Sequence, residues 1–92
     1  MRKIPTFVQM ELLPRDKRKK NERKYKHWDE GSDGSRKYSR DVNGRNGWLA
    51  RYVKIVDLNE VTLKFYQEIY DENGKLIELH EKFPVDTGHQ KL

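Results

Sequence analysis

Between Val61 and Tyr70 the chain reads VTLKFYQEIY, in which Val61, Leu63, Phe65 and Ile69 alternate with Thr62, Lys64, Tyr66, Glu68 and Tyr70. A period of two predicts a β-strand over 61–70 with one buried face. Asp71-Glu72-Asn73-Gly74 comes next. Because Asn and Gly tolerate positive φ, it predicts a hairpin turn that leads into a returning strand over 75–83. The register follows from the demand that Ile77, Leu79 and Phe83 share the face of Leu63, Phe65 and Ile69. A three-residue loop of Glu72, Asn73 and Gly74, with Gly74 left-handed, pairs Ile69 with Ile77 and Leu63 with Phe83. A two-residue Asn-Gly loop sets Ile69 against Glu78 and Phe65 against Lys82, and is rejected because it puts charges into the core.

Residues 48–56 (WLARYVKIV) form a third expected strand, joined to the second by a turn around Leu58-Asn59-Glu60. With Leu49, Val53 and Ile55 inward, the aliphatic contact with Leu63, Phe65 and Ile69 is largest, and that facing is adopted. It gathers Trp48, Tyr52, Tyr66 and Tyr70 with Lys54, Lys64 and Lys82 on the opposite face, a mixture of π surface and charge used by sheet-type readers of single-stranded RNA. A turn one residue shorter inverts the assignment. Alternatively, the aromatics are ordinary strand residues covered by the N-terminal half.

Three strands cannot seal a core alone, and the remaining apolar cluster is Ile4, Phe7, Val8, Met10, Leu12 and Leu13. Residues 4–13 are expected to cover the sheet, as a strand with Ile4, Val8, Met10 and Leu12 aligned, or as a helix with Ile4, Phe7, Val8 and Leu12 on one face. Self-association through an open sheet face or edge competes with that cover. The fold class is mainly β or α+β: a small antiparallel meander covered by the N-terminal segment, with a polar, basic segment over 14–47. In that segment EGSDGS and NGRNG have linker-like composition. It reads as a flexible basic loop or as a short polar helix capped by Asp16, with Glu22 and Lys26 as an i,i+4 pair.

The 92 residues suit a single domain, and charged residues (38%) outnumber apolar ones (34%), so the core must be thin. Without cysteine there is neither a disulfide framework nor a thiolate metal site. No apolar run suggests a signal peptide or membrane span, so a cytoplasmic location is expected. Charge is uneven: residues 1–47 carry 14 Lys and Arg against 7 Asp and Glu, residues 48–92 carry 6 against 8. The basic half either engages an anionic partner, nucleic acid before membrane, or is a solvated basic stretch.

The strongest chemical feature is the run from Arg15 to Lys26, with eight basic residues, two acidic ones and Tyr25, followed by His27 and Trp28. Arg15, Lys17, Arg18, Lys19, Lys20, Arg23, Lys24 and Lys26 are expected to neutralise phosphates, while Tyr25 and Trp28 stack on unpaired bases. Such runs also serve simply to keep small proteins soluble. His27, His80 and His89 are the side chains able to act as acid or base near neutral pH. No pair of ligand residues has a recognised metal spacing, no phosphate loop is formed by Gly44 and Gly47, and no cofactor is implied.

The C-terminal strand-turn-strand ending in FPVDTGH resembles the C-termini of small bacterial toxins of the TumE type and other compact ribonuclease toxins, over about the last thirty residues. The resemblance implies a bacterial or phage protein and an RNA-cleaving role for Asp86 and His89, with His80 a further candidate acid or base. Where those proteins often end in a second His, this chain has Gln90, Lys91 and Leu92. Three expectations follow: an RNA-binding module, with RNA ahead of DNA; a metal-independent ribonuclease of toxin type; or a structural protein whose sheet edge recruits a partner strand.

Overall fold

The computed structural model describes residues 13–92. Their elements are helix α1 (Pro14–Tyr25) and strands β1 (His27–Glu30), β2 (Arg36–Asn43), β3 (Leu49–Val56), β4 (Thr62–Tyr70), β5 (Leu76–Phe83) and β6 (Gln90–Lys91). The strands form one antiparallel meander in chain order, with α1 against β1 and β2. The expected N-terminal cover lies outside the described residues except for Leu13. No helix among the described residues is long and apolar enough to cross a membrane.

Segment 14–47, which reads as a loop with at most a short helix, builds α1 and two strands. Pro14 opens the helix, Asp16 accepts the Leu13 N–H at 3.3 Å, and Lys26 ends it at φ 65 with its N–H on the Glu22 carbonyl. Proline suits a first turn whose N–H groups lack helical partners, and an acid there complements the helix dipole. The β1–β2 hairpin escapes a search for aliphatic alternation because its inward residues are Trp28, Glu30, Arg36 and Tyr38.

The β3–β4 and β4–β5 hairpins turn as their sequences predict. Asp57 and Asp71 each bracket a three-residue loop, and each accepts two backbone N–H groups through Oδ1, Asn59 and Val61 in one case, Asn73 and Lys75 in the other. Gly74 takes φ +79, as expected of the left-handed loop position.

The registers beyond the turns differ from expectation. In the β4–β5 pair Tyr70 opposes Leu76, but a bulge then sets Ile69 against Glu78 and Tyr66 against Glu81, and a second sets Phe65 against Phe83. The rejected pairing of Ile69 with Glu78 therefore occurs. The objection to it assumed a sealed apolar face, whereas Glu78 there meets His89 and Lys82 lies over the rings of Tyr52 and Phe65. Between β3 and β4, Val56 opposes Thr62 and Ile55 opposes Lys64, leaving Leu63 as the extra residue. One residue of slip exchanges the faces. Leu49, Val53 and Ile55 thus share a face with Lys64, Tyr66 and Tyr70, the inverse of the adopted facing, while Tyr52 and Lys54 stand with Phe65 and Ile69. The four-aromatic face does not form, and Val61 and Leu63, expected inside, are 52% and 51% exposed.

The core beneath α1 is small and aromatic: Tyr25, Tyr38 and Val56 are buried, with Trp28 and Tyr52 against them. Glu60, in the β3–β4 turn, closes it with a side chain fully removed from solvent.

Candidate nucleic-acid interface

Helix α1 has almost no apolar residues, and polar contacts decide which way it faces. Arg18, Asn21 and Tyr25, spaced by three and four, point at the sheet. Arg18 Nε donates to Glu60 Oε1 at 2.6 Å, Asn21 Nδ2 to Glu60 Oε2 at 2.9 Å, and the Tyr38 hydroxyl to Glu60 Oε2 at 2.8 Å. Asn21 Oδ1 in turn accepts Lys54 Nζ at 3.1 Å. Burial pushes the Glu60 carboxyl up, but its donors Asn21, Tyr38 and Arg18 together outweigh that and hold it below the usual carboxylate range. Lys54 is pulled below the ordinary lysine range by burial and by nearby Lys24.

With that face fixed, Arg15, Lys19, Lys20, Arg23 and Lys24 are exposed along the rest of α1, Lys17 is half-buried and Lys26 is exposed at its end. None of the seven has an acidic partner within ion-pair distance among the described residues. Three residues of the sequence-predicted set are corrected. Arg18 is engaged by Glu60 and Glu30. Tyr25 is 4% exposed, its ring 5.6 Å from that of Tyr38, so it cannot stack on a base. Trp28 is half-buried between Tyr38 and the Arg36 guanidinium, which sits 5.1 Å from its ring.

The end of α1 also walls a notch that the sequence reading missed. Strand β1 begins at His27, opposite Ser39, so no described strand pairs with the outer edge of β2 over Arg40–Asn43. The resulting concavity of about 980 Å³ is bordered by Arg23, Lys24, Lys26, Lys37 and Arg40, with Arg51 and Tyr70 on its floor. Asp41 takes Arg51 in a bidentate pair at 2.7 and 3.0 Å, which holds the Asp41 carboxyl below its usual range. The Arg51 guanidinium lies 5.3 Å from the Tyr70 ring, whose hydroxyl donates to Glu68 at 3.1 Å. The missed signal was the basic spacing of Lys37, Arg40 and Arg51, hidden by the apparent linker composition around it.

The C-terminal candidates His80, Asp86 and His89 do come together. His80 Nε2 is 2.6 Å from Asp86 Oδ1, which also accepts the Gly88 N–H, and the two imidazole centroids are 4.6 Å apart. The Gly88 N–H and then His80 hold the Asp86 carboxyl below its usual range. His80 Nδ1 is buried without a partner, and its Nε2 is taken by Asp86, so neither nitrogen is free for a substrate. His89, 53% exposed, rests its Nδ1 on Glu78 at 3.2 Å. That pairing orients His89, whereas the His80–Asp86 contact ties the turn before β6 to β5. No group of three or more His, Asp or Glu among the described residues is arranged to hold a metal ion. Neither a family model, nor a curated protein, nor a solved structure matches the chain.

Proposed function

We propose that the protein is a small nucleic-acid-binding module, with RNA ahead of DNA, that engages phosphates through the outer cations of α1. The carrying observation is that Arg15, Lys17, Lys19, Lys20, Arg23, Lys24 and Lys26 have no acidic partners among the described residues, while Arg18 on the inner face is fully engaged. A run serving only solubility has no need of such a division. Unpaired cations along one helix face are a surface from which a polyanion displaces counterions.

The test is a titration of labelled RNA and DNA at several salt concentrations with wild type and the Lys19→Gln, Lys20→Gln, Arg23→Gln triple variant. These side chains are exposed and have no ion-pair partner among the described residues, so folding should be unaffected. Affinity should fall, and the slope of log affinity against log salt should flatten by about 2, from about 0.7 per lost phosphate contact on a single strand. Unchanged affinity and slope would remove the proposal.

A second reading, metal-independent RNA cleavage, is favoured by one observation: His89 is oriented by Glu78 beside His80 and Asp86. In it His89 exchanges the proton, and Lys82 balances charge on the phosphate. If recovered RNA is intact, or is cut equally by His89→Ala, this reading is lost and the binding module stands.

A further inference from the structure

We infer that the notch between the exit of α1 and the open edge of β2 seats one unpaired nucleotide, its base on the Tyr70–Arg51 surface and its phosphates against Lys26, Lys37 and Arg40. This rests on the proposed function and specifies which nucleic acid is preferred: a single strand.

Three features of the notch lead to this. The first is shape. Because β1 is shorter than β2, the sheet loses a strand's width alongside Arg40–Asn43, and Arg23, Lys24 and Lys26 at the end of α1 line the space. The space, about 980 Å³, is at the upper end of the range for small-molecule sites and takes a nucleotide with its flanking phosphates.

The second is charge. Arg23, Lys24, Lys26, Lys37 and Arg40 border the notch without ion-pair partners among the described residues, against Asp29 and Glu68. The third acid, Asp41, is already neutralised by Arg51. The balance favours an anion.

The third is the floor. Asp41 holds Arg51 from one side while its guanidinium lies over Tyr70, and Glu68 holds the Tyr70 hydroxyl. Both groups of the floor are therefore fixed by neighbours in the notch wall, Asp41 on Arg51 and Glu68 on Tyr70. A fixed aromatic ring with an adjacent guanidinium offers a stacking surface to any base. A base inside a duplex is already stacked and paired and cannot enter, so the floor discriminates strandedness where the α1 cations do not.

The experiment compares binding of a labelled single-stranded RNA, the corresponding RNA duplex, inorganic polyphosphate and a poly-glutamate peptide to wild type, Tyr70→Leu and Arg40→Gln. Leucine retains apolar bulk beside Arg51, and Arg40 is exposed, so its variant remains informative if Tyr70→Leu fails to fold. Tyr70→Leu should weaken single-strand binding by about ten-fold, the scale of losing one stacked base, and leave duplex and polyphosphate binding unchanged. Arg40→Gln should weaken single-strand binding several-fold.

Unchanged single-strand affinity in either folded variant would overturn the inference. So would polyphosphate or poly-glutamate binding wild type as tightly as the single strand. If the α1 triple variant weakens binding while neither notch variant does, the notch assignment fails and the binding module survives. If wild type binds no nucleic acid, both fail together.

Discussion

The Tyr38 hydroxyl donates to Glu60 Oε2 at 2.8 Å from the centre of the small core. Glu60 receives it at φ +63, the left-handed loop position that Gly74 fills in the following hairpin. A non-glycine residue there costs about 1–2 kcal/mol. The donors Arg18, Asn21 and Tyr38 offset that cost, and through them a turn residue holds α1 on the sheet.

Substitutions at Glu60 should separate backbone strain from side-chain contacts. Glu60→Gln keeps the shape but loses the charge that Arg18 and two hydrogen bonds meet, a loss of about 2–3 kcal/mol for charge-assisted contacts. Glu60→Gly loses the contacts but relieves the left-handed strain, and should be more stable than Glu60→Ala by about 1 kcal/mol. Urea unfolding midpoints measure both; equal stability of the Gly and Ala variants would contradict the strain assignment.

Tyr38→Phe removes one donor and leaves the buried carboxylate with two. A loss of about 1–2 kcal/mol is expected. Tyr25→Phe removes a hydroxyl that no described group bonds and should be neutral, while Tyr25→Ala should cost about 3–5 kcal/mol as a large cavity. Thermal unfolding of the three variants decides this, and a costly Tyr25→Phe would mean the ring is held by more than packing.

Acid stability should depend on Glu60. Its carboxyl sits below the usual range in the folded state, so the folded protein releases this proton more readily than the unfolded chain. The stabilisation is fully present above the unfolded value and is lost as pH falls through the folded one. Midpoints measured from pH 7 downward should decline more steeply for wild type than for Glu60→Gln. Parallel curves would assign the acid sensitivity to Asp33, Asp41 and Asp86, whose carboxyls are also held low.

The hairpin glycines should differ in their tolerance of a side chain. A Cβ on Gly74, at φ +79, meets nothing, whereas one on Gly34, at φ +85, lies 3.2 Å from Leu58 Cδ1. Gly74→Ala should cost about 1 kcal/mol from backbone strain alone, and Gly34→Ala should cost more. Denaturant midpoints of the two variants measure the difference.

His80→Asn breaks the tie between β5 and the Asp86 turn without touching the α1 core. Amide exchange should accelerate at Thr87, which bonds the Glu81 carbonyl, and at Leu92, which bonds that of Ile77, while Val53 and Tyr38 stay protected. Uniform acceleration across the sheet would show instead that His80 supports the whole fold.

Local chemistry determined much of this protein from sequence alone. Period-two alternation located β3, β4 and β5, and Asn73-Gly74 and Leu58-Asn59-Glu60 marked the turns between them, whereas α1 was legible only as an alternative to a loop, and Asp16, expected as its cap, lies in its first turn behind Leu13. Asp86 and His89 were singled out by the C-terminal resemblance and His80 by its side-chain chemistry, and the fold brings the three together. Only the tertiary structure decided the facings and which cations are without an acidic partner among the described residues. A single extra residue at Leu63 or Ile77 exchanges the two faces of the residues beyond it until another bulge restores them, and no residue type announces a bulge within a strand. The division of the basic run depends on Glu60, 42 residues from Arg18 in the chain. Contacts at such separation leave no periodicity to read, so Arg18 and Tyr25 looked as available as Lys19 until the meander folded beneath them.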